Sequence, residues 1–354
     1  MLKDRSAIGI VCIGIMLMLA GGISYAGVLE DKVWSVADRL ERTQIKDQDS
    51  LRNGSWANQD EFTGAIASGL AAAFRVTSEE RFETAAEMAG LHVVYLSQSY
   101  TGDEALALAN LAVSSPFYPA TGFWKNILLG YYSHIQNTQE VADYLNSYSG
   151  DDSYWSIFDV ANHVVAVYKV NAQGKEEWRK GLINWIKRLD DEQAHYPVMA
   201  LGIATWALAQ SGPLDGTLID PNGEGSALWR GKSLSDLPGL LLSHQVPTGD
   251  PGAGSFYWRF DHGDGVQSGQ GKIVQGYTED AIYGTLGLWA AHQADPNSQE
   301  LTAAVAAAQN AILGGVQSDG SVCEHLSDER AKVYDVMAGE MAQVLATLAI
   351  SQYQ

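Results

Sequence analysis

Residues 175–211 read KEEWRKGLINWIKRLDDEQAHYPVMALGIATWALAQS, and the two halves of this stretch differ in kind. In the first, Trp178, Leu182, Trp185, Ile186 and Leu189 recur at spacings of three and four. Lys175, Glu176, Arg179, Lys180, Lys187 and Arg188 fill positions between them. That period makes a helix with one apolar face, an outer helix resting on something larger. The second half, from Tyr196 to Ser211, has no charged residue and is rich in Ala. A helix without a charged face is buried on most sides, and Pro197 marks its first turn. The stretch predicts a helical hairpin with one outer and one enclosed member.

The same alternation runs along the chain. Segments of the enclosed type lie at 62–76, 103–114, 155–171, 196–211, 277–294 and 333–351. Amphipathic segments precede them at 28–43, 79–98, 120–137, 175–189, 234–245 and 298–315. A ring of six inner helices surrounded by six outer ones buries every inner helix without a sheet. The expected fold class is therefore all-α, an (α/α)6 toroid, in one domain over 27–354 with a loose internal repeat. Two Gly/Pro-rich stretches, 212–233 and 246–276, interrupt the rhythm, and long irregular loops in compact domains are usually functional or disordered. The aromatics Phe256, Tyr257, Trp258 and Phe260 argue against disorder in the second. The alternation over 254–262 predicts a short extended rim segment with Tyr257, Arg259 and Asp261 on one face.

Composition narrows the partners. Asp and Glu number 42 against 22 Lys and Arg in 354 residues, a net charge of -20. Such a surface is a poor match for nucleic acid, whose phosphates need Lys and Arg, and for anionic membranes. Lys3 and Arg5 precede an apolar run from Ala7 to Ala20 that ends near Ser24-Tyr25-Ala26. This is the pattern of a secretory signal peptide over 1–26, cleaved after Ala26, and it predicts a secreted or periplasmic protein free of the membrane after cleavage. Cleavage also removes Cys12 and leaves Cys323 without an internal disulfide partner. Neither a metal nor a cofactor is expected, and the oligomeric state is not legible.

Three turns before inner segments share a signature. Gln48 is followed by Asn53-Gly54-Ser55-Trp56, Gln245 by Gly254-Ser255-Phe256-Tyr257-Trp258, and Gln317 by Asp319-Gly320-Ser321-Val322. This resembles the Gln…Asp-Gly-Ser-Trp repeat of the terpenoid-cyclase and protein-prenyltransferase superfamily of α/α toroids. The resemblance implies the fold and not the chemistry. Arg188-Leu189-Asp190-Asp191 lacks the first Asp of the cyclase acid motif. Cys323-Glu324-His325 offers a thiolate and an imidazole without the surrounding zinc motif of the prenyltransferases, so an inert, partly buried thiol is expected. Asp220-Pro221-Asn222-Gly223-Glu224 does not match a calcium loop.

Polar residues at the ends of inner helices are the candidates for chemistry. Asp159 and His163 share a helix face at i, i+4, so the carboxylate could orient the imidazole. Asn162-His163, with Tyr257 and Arg259, resembles in residue type the Asn-His, Tyr and Arg set of toroid alginate- and chondroitin-type lyases. That resemblance implies Asn162 and His163 neutralising a uronate carboxylate, Tyr257 as general acid/base and Arg259 as a carboxylate ligand. The close Tyr-x-Arg spacing departs from the pattern. A satisfied core histidine, and an Arg259–Asp261 pair that merely holds a loop, are the alternatives. Acids at inner-helix starts form a further set: Asp103-Glu104, Glu279-Asp280 and Asp335. They read as dipole-complementing caps or, by resemblance to toroid glycoside hydrolases, as general acid and base. Trp258, His262, Tyr277, His195 and Tyr196 are expected to bind substrate at the rim. At least three of Asn162, His163, Tyr257, Arg259, His262 and Tyr277 should line one cavity.

These observations point to an exported glycan-active enzyme with a polysaccharide or oligosaccharide ligand. β-Elimination is set ahead of hydrolysis by rim carboxylates, with a non-catalytic binding or scaffold toroid as the competing class.

Overall fold

The computed structural model describes residues 27–96, 100–114, 120–138, 145, 153–262, 267–268, 271–272, 277–326 and 333–351. The expected signal segment, 1–26, lies outside the described residues.

The inner helices are α2 (Thr63–Thr77), α4 (Gly102–Ser114), α6 (Ser153–Val170), α8 (Pro197–Ser211), α10 (Thr278–Ala294) and α12 (Asp335–Ser351). Their outer partners are α1 (27–43), α3 (Glu80–Leu96), α5 (Ala120–Thr138), α7 (Lys175–Ile186), α9 (Leu237–Ser243) and α11 (Gln299–Gly314). Every inner boundary falls within two residues of its sequence expectation. The ring closes: α2 packs on α4, α4 on α6, α6 on α8, α8 on α10, α10 on α12, and α12 returns to α2. The toroid is thus the observed architecture.

Small residues make the ring possible. Side chains added at Gly69 of α2 or Gly202 of α8 would collide with the backbones of Gly339 in α12 and Tyr283 in α10. Large side chains instead fill the space between the layers. Trp178, Tyr132 and Phe82, all on outer helices, are completely enclosed. Each such burial stabilises the fold by roughly 1.5–3 kcal/mol.

The repeated turns staple neighbouring hairpins together. After α9, the Gln245 carboxamide donates to Gly254 O at 3.1 Å and to Ala304 O of α11 at 2.9 Å. The matching residue after α1 is Gln44 and not Gln48: its carboxamide donates to Gly54 O at 2.9 Å and to Ala85 O of α3 at 2.8 Å. Isolated bridges at Gln44↔Trp56, Gln245↔Phe256 and Val316↔Val322 give the three turns one backbone plan. Gly54, Gly254 and Gly320 sit at φ 93°, 87° and 81°. A Cβ on each would strike a carbonyl of the next outer helix, at Met88, Ala307 and Ser35 respectively. Glycine is required there by both conformation and space. The third turn docks on α1, so the repeat itself closes the ring.

The extended rim segment is narrower than the alternation suggested. Pairing is confined to the bridge around Phe256 and Tyr257, after which the chain turns through Trp258–Asp261. The cause is Asp191, whose carboxylate accepts the Phe260 and Asp261 amides at 2.9 and 2.8 Å and bends the segment onto the α7–α8 loop.

Candidate active site

Because all inner helices run the same way, their N-terminal ends meet at one end of the ring. A cavity of about 40 Å³ lies there, lined by Phe62, Asp103, Phe158, Met199, Glu279, Val336 and Glu340. All six inner helices or their first turns contribute to it. Three of the seven lining residues are carboxylic acids, and the rest are apolar.

Burial is the first cause of their behaviour, since a low-dielectric setting disfavours the charged form. It pushes the Asp103 carboxyl up to about 7, with the negative fields of Asp159, Glu104 and Glu279 adding to the rise. Glu279 is also raised to about 7, by burial and then by Glu324. Glu340 is driven well above the usual carboxylate range by burial, then by Glu279 and Asp103. The surface that Asp103 and Glu279 keep is therefore cavity surface. Asp103 and Glu279 thus titrate near neutrality, Glu340 holds its proton above the usual carboxylate range, and the three influence one another's titration.

Each acid has a distinct support. Asn162 Nδ2 donates to Asp103 Oδ1 at 2.8 Å, a bond that favours the ionised form. Tyr283 Oη donates to Glu340 Oε1 at 2.8 Å. Glu279 stands in the first turn of α10, below Tyr277. Its neighbour Asp280 turns away: fully buried, it accepts the Tyr277 amide at 2.8 Å as a cap. Burial raises its carboxyl well above normal, against that hydrogen bond. Asp280 is expected from sequence to act beside Glu279, but its Oδ2 caps the helix start.

Aromatic groups gather above the acids. Tyr196 and Tyr277 meet edge to face at 5.3 Å, Tyr196 approaches Trp258 at 5.9 Å, and Tyr277 stacks on His325 at 4.8 Å. His195 lies 6.4 Å from Tyr196 by ring centroids and is exposed. Burial raises the Tyr196 phenol, and a hydrogen bond to Tyr277 adds to the rise. His195, Tyr196, Trp258 and Tyr277 thus form one rim cluster, joined by His325.

The Asn-His, Tyr and Arg set does not assemble. His163 is wholly enclosed and faces the outer layer: its Nδ1 lies 2.9 Å from Tyr132 Oη of α5, and its ring lies 4.7 Å from Trp178 of α7. Burial lowers its pKa, against the raising influence of Asp159, so the imidazole is held neutral. Asn162, one residue earlier, faces the ring centre. Tyr257 stacks on His262 at 4.0 Å, and His262 Nε2 lies 2.9 Å from His244 Nδ1. Arg259 donates to Asp191 O at 3.0 Å and to Asp261 at 3.3 Å. Tyr257, His262 and Arg259 therefore anchor the rim loop. Of the six residues expected in one cavity, Asn162 bonds to a lining group, Asp103, and Tyr277 stands in the rim cluster.

Glu340 and Tyr283 are not among the candidates legible from the sequence pattern, which points to acids at inner-helix starts and beside His163 and Arg259. The usable signal was a lone Glu in the interior of an otherwise uncharged stretch of α12.

The remaining motifs are structural. Cys323 is buried, and its carbonyl accepts the Thr278 hydroxyl at 2.6 Å. Asp220 spends its carboxylate on the Glu224 and Gly225 amides, each at 3.0 Å. Asp335 pairs with Arg39 of α1 at 3.7 Å. Among the described residues, no group of three or more His, Cys, Asp or Glu is arranged to hold a metal ion. No helix among them is long and apolar enough to cross a membrane.

Comparison with known proteins bears on the fold. No protein-family model matches the chain, and no curated protein does. Among solved structures, the chain is similar to the GH76A α-1,6-mannanase from Salegentibacter sp. HEL1_6, with a TM-score of 0.56 and 11% identity over 92% of this chain and 100% of that one. A polysaccharide lyase superposes with a TM-score of 0.52 and 13% identity over 93% and 98% of the two chains. A protein from Listeria innocua gives 0.53 and 12% over 92% and 98%. The chain has the α/α-toroid fold built by a mannanase and by a lyase alike. At these identities the likeness concerns fold alone.

Proposed function

We propose that this protein is an exported glycan-active enzyme that hydrolyses a glycosidic bond with the acids at the centre of its ring. The observation that carries the reading is the convergence of Asp103, Glu279 and Glu340 from three inner helices on one cavity, two of them raised to about 7. General acid–base catalysis works best with groups poised near the operating pH. The similarity of fold to a mannanase and a polysaccharide lyase supports a carbohydrate substrate. Export rests on the signal-peptide pattern of residues 1–26, and N-terminal sequencing of the exported chain should begin at Gly27.

In this mechanism Glu279, next to the rim, enters protonated and gives its proton to the leaving glycosidic oxygen. Asp103, in the ionised form that its hydrogen bond from Asn162 favours, accepts a proton from a water whose oxygen bonds to the anomeric carbon as the C–O bond breaks. The cavity holds that water, since a site of about 40 Å³ exceeds the roughly 10–15 Å³ one water needs. The sugar ring sits above it, against Tyr196, Trp258 and Tyr277. Glu340, protonated against Tyr283, completes the proton-sharing set.

β-Elimination, set ahead from sequence, loses support because its four residues point to separate places. A non-catalytic binding toroid stays in view on one observation, the cavity's small volume. A glycan panel, with α-1,6-mannan and a uronate polymer included, separates the three. New reducing ends without the ultraviolet absorbance of an unsaturated uronate are expected. The chromophore would restore elimination, and ligand binding without product would favour the binding toroid.

A further inference from the structure

The opposite end of the ring holds a second pocket, larger than the first. It encloses about 250 Å³ and is lined by Arg75, Lys169, Trp206, Gln210, Trp289, Thr347, Ile350 and Ser351. These residues belong to the C-terminal halves of α2, α6, α8, α10 and α12. Glu279 and Trp289 are ten residues apart on α10, so about 15 Å of helix separates the two sites.

Its chemistry is the reverse of the acid cavity. Arg75 and Lys169 are the charged residues of its lining, in a protein with a net charge of -20. Among the described residues neither forms an ion pair, and the Lys169 ammonium donates to the neutral carboxamide of Asn110. Burial pushes Lys169 down to about 7, and the Arg75 charge adds to the fall. A cation in the last turn of one helix is ordinary dipole complementation. Two cations converging on one pocket, with no carboxylate among the described lining residues to offset them, leave a positive charge that a bound anion would neutralise. The walls suit a ring: Trp206 and Trp289 supply aromatic surface, and the enclosed Nε1 of Trp289 has no acceptor among the described residues. The volume falls just under the roughly 300–1,000 Å³ of drug-sized sites, which is monosaccharide scale.

The geometry points to a second ligand site at the C-terminal ends of the inner helices, which binds a monosaccharide-sized sugar acid with its carboxylate on Arg75 and Lys169 and its ring between Trp206 and Trp289. The guanidinium fork matches a carboxylate in two-pronged fashion. This site is independent of the central acids, so it can fail or stand without them.

The test is calorimetric titration of the full chain with D-glucuronate, D-glucose and acetate, with the indole N–H resonances followed in parallel. Glucuronate is expected to bind saturably and move the Trp289 Nε1–H signal, which Trp289→Phe would identify by its loss. Glucose and acetate should each bind at least about tenfold more weakly, having lost the charge or the ring. Arg75→Gln, at an exposed position, should weaken glucuronate about tenfold or more, and Lys169→Met likewise. Equal binding of glucose, equal binding of acetate, undiminished affinity in Arg75→Gln, or no binding of glucuronate would each overturn the assignment.

Discussion

The two ends of the inner ring are built from the same helices and carry opposite chemistry. At the N-terminal end Asp103, Glu279 and Glu340 crowd a cavity of about 40 Å³; at the C-terminal end Arg75 and Lys169 line one of about 250 Å³. Helix dipoles favour this polarity, acids at the start and bases at the end. Dipoles do not explain why the groups converge in the centre instead of facing solvent. The difference teaches that the ring holds ionisable groups with shifted titration at both ends, carboxyls raised and a lysine lowered, so the two should answer pH with opposite signs. Raised carboxyls hold extra protons in the folded state, so the acid end loses stability as pH rises from about 4, the unfolded carboxylate value, to about 7. Lys169 is lowered, so its charge weakens the fold below about 7, and that cost is relieved as pH rises from about 7 toward the unfolded value near 10.4.

The largest expected effect falls on chemistry at the acid end. Glu279→Gln should cost about 10²–10⁴-fold in glycan hydrolysis, the usual worth of a positioned proton donor, with the circular dichroism spectrum unchanged. Residual activity near that of the wild type would move the chemistry away from this end.

Next in size is a pure stability effect. His163→Ala empties an enclosed site between α5, α6 and α7, and should destabilise by about 2–5 kcal/mol in denaturant titration. The folded fraction should keep its hydrolytic rate, because His163 faces the outer layer and the acids do not. A variant that is fully stable but inactive would return His163 to the catalytic set.

A smaller loss is expected at the staples. Gln245→Ala removes two hydrogen bonds, the one to Ala304 O being additional to that carbonyl's place in the helix, and should cost about 1–3 kcal/mol. Gln44→Ala should match it, whereas Gln48→Ala should leave stability within about 0.5 kcal/mol, as for an ordinary surface position. The reverse ranking would break the repeat as drawn.

The smallest effect is a gain. Glu340→Gln keeps an acceptor for Tyr283 and removes a carboxyl that resists ionising, so it should raise the melting temperature by roughly 2 °C at pH 8. At pH 2, well below the unfolded carboxylate value, the carboxyl should no longer penalise the wild type, because Glu340 is protonated there in both folded and unfolded chains. A destabilised variant at pH 8 would mean the carboxylate is favourably paired.

The architecture was legible because burial on all sides leaves a composition that no outer helix can carry. Tyr196–Ser211 has no charge to turn toward water, and neighbouring Lys175–Leu189 has seven charged residues. The same property hid the site. On a helix apolar all round, no periodicity tells Asn162 from His163, yet about 100° of turn sends one to the ring centre and the other to Tyr132 and Trp178. The repeat was read in the right turns but with Gln48 in place of Gln44, because spacing to the glycine cannot say which carboxamide reaches the next helix. Tyr257 and Arg259 looked like a strand face until Asp191, sixty-six and sixty-eight residues earlier, bent their segment. Asp103 and Glu279 were visible as helix-start acids, and only closure of the ring brought Glu340 between them.

The claim that the centre of the ring holds proton-sharing acids is tested most directly by carbon NMR of the carboxyl groups, with Asp and Glu labelled, across pH 3 to 9. Two resonances should titrate near 7, one lost in Asp103→Asn and the other in Glu279→Gln, with each substitution lowering the midpoint of the acid that remains. If every carboxyl instead titrates below about 5, in the range of exposed Asp and Glu, the acids are ordinary caps and the proposed chemistry has no proton donor.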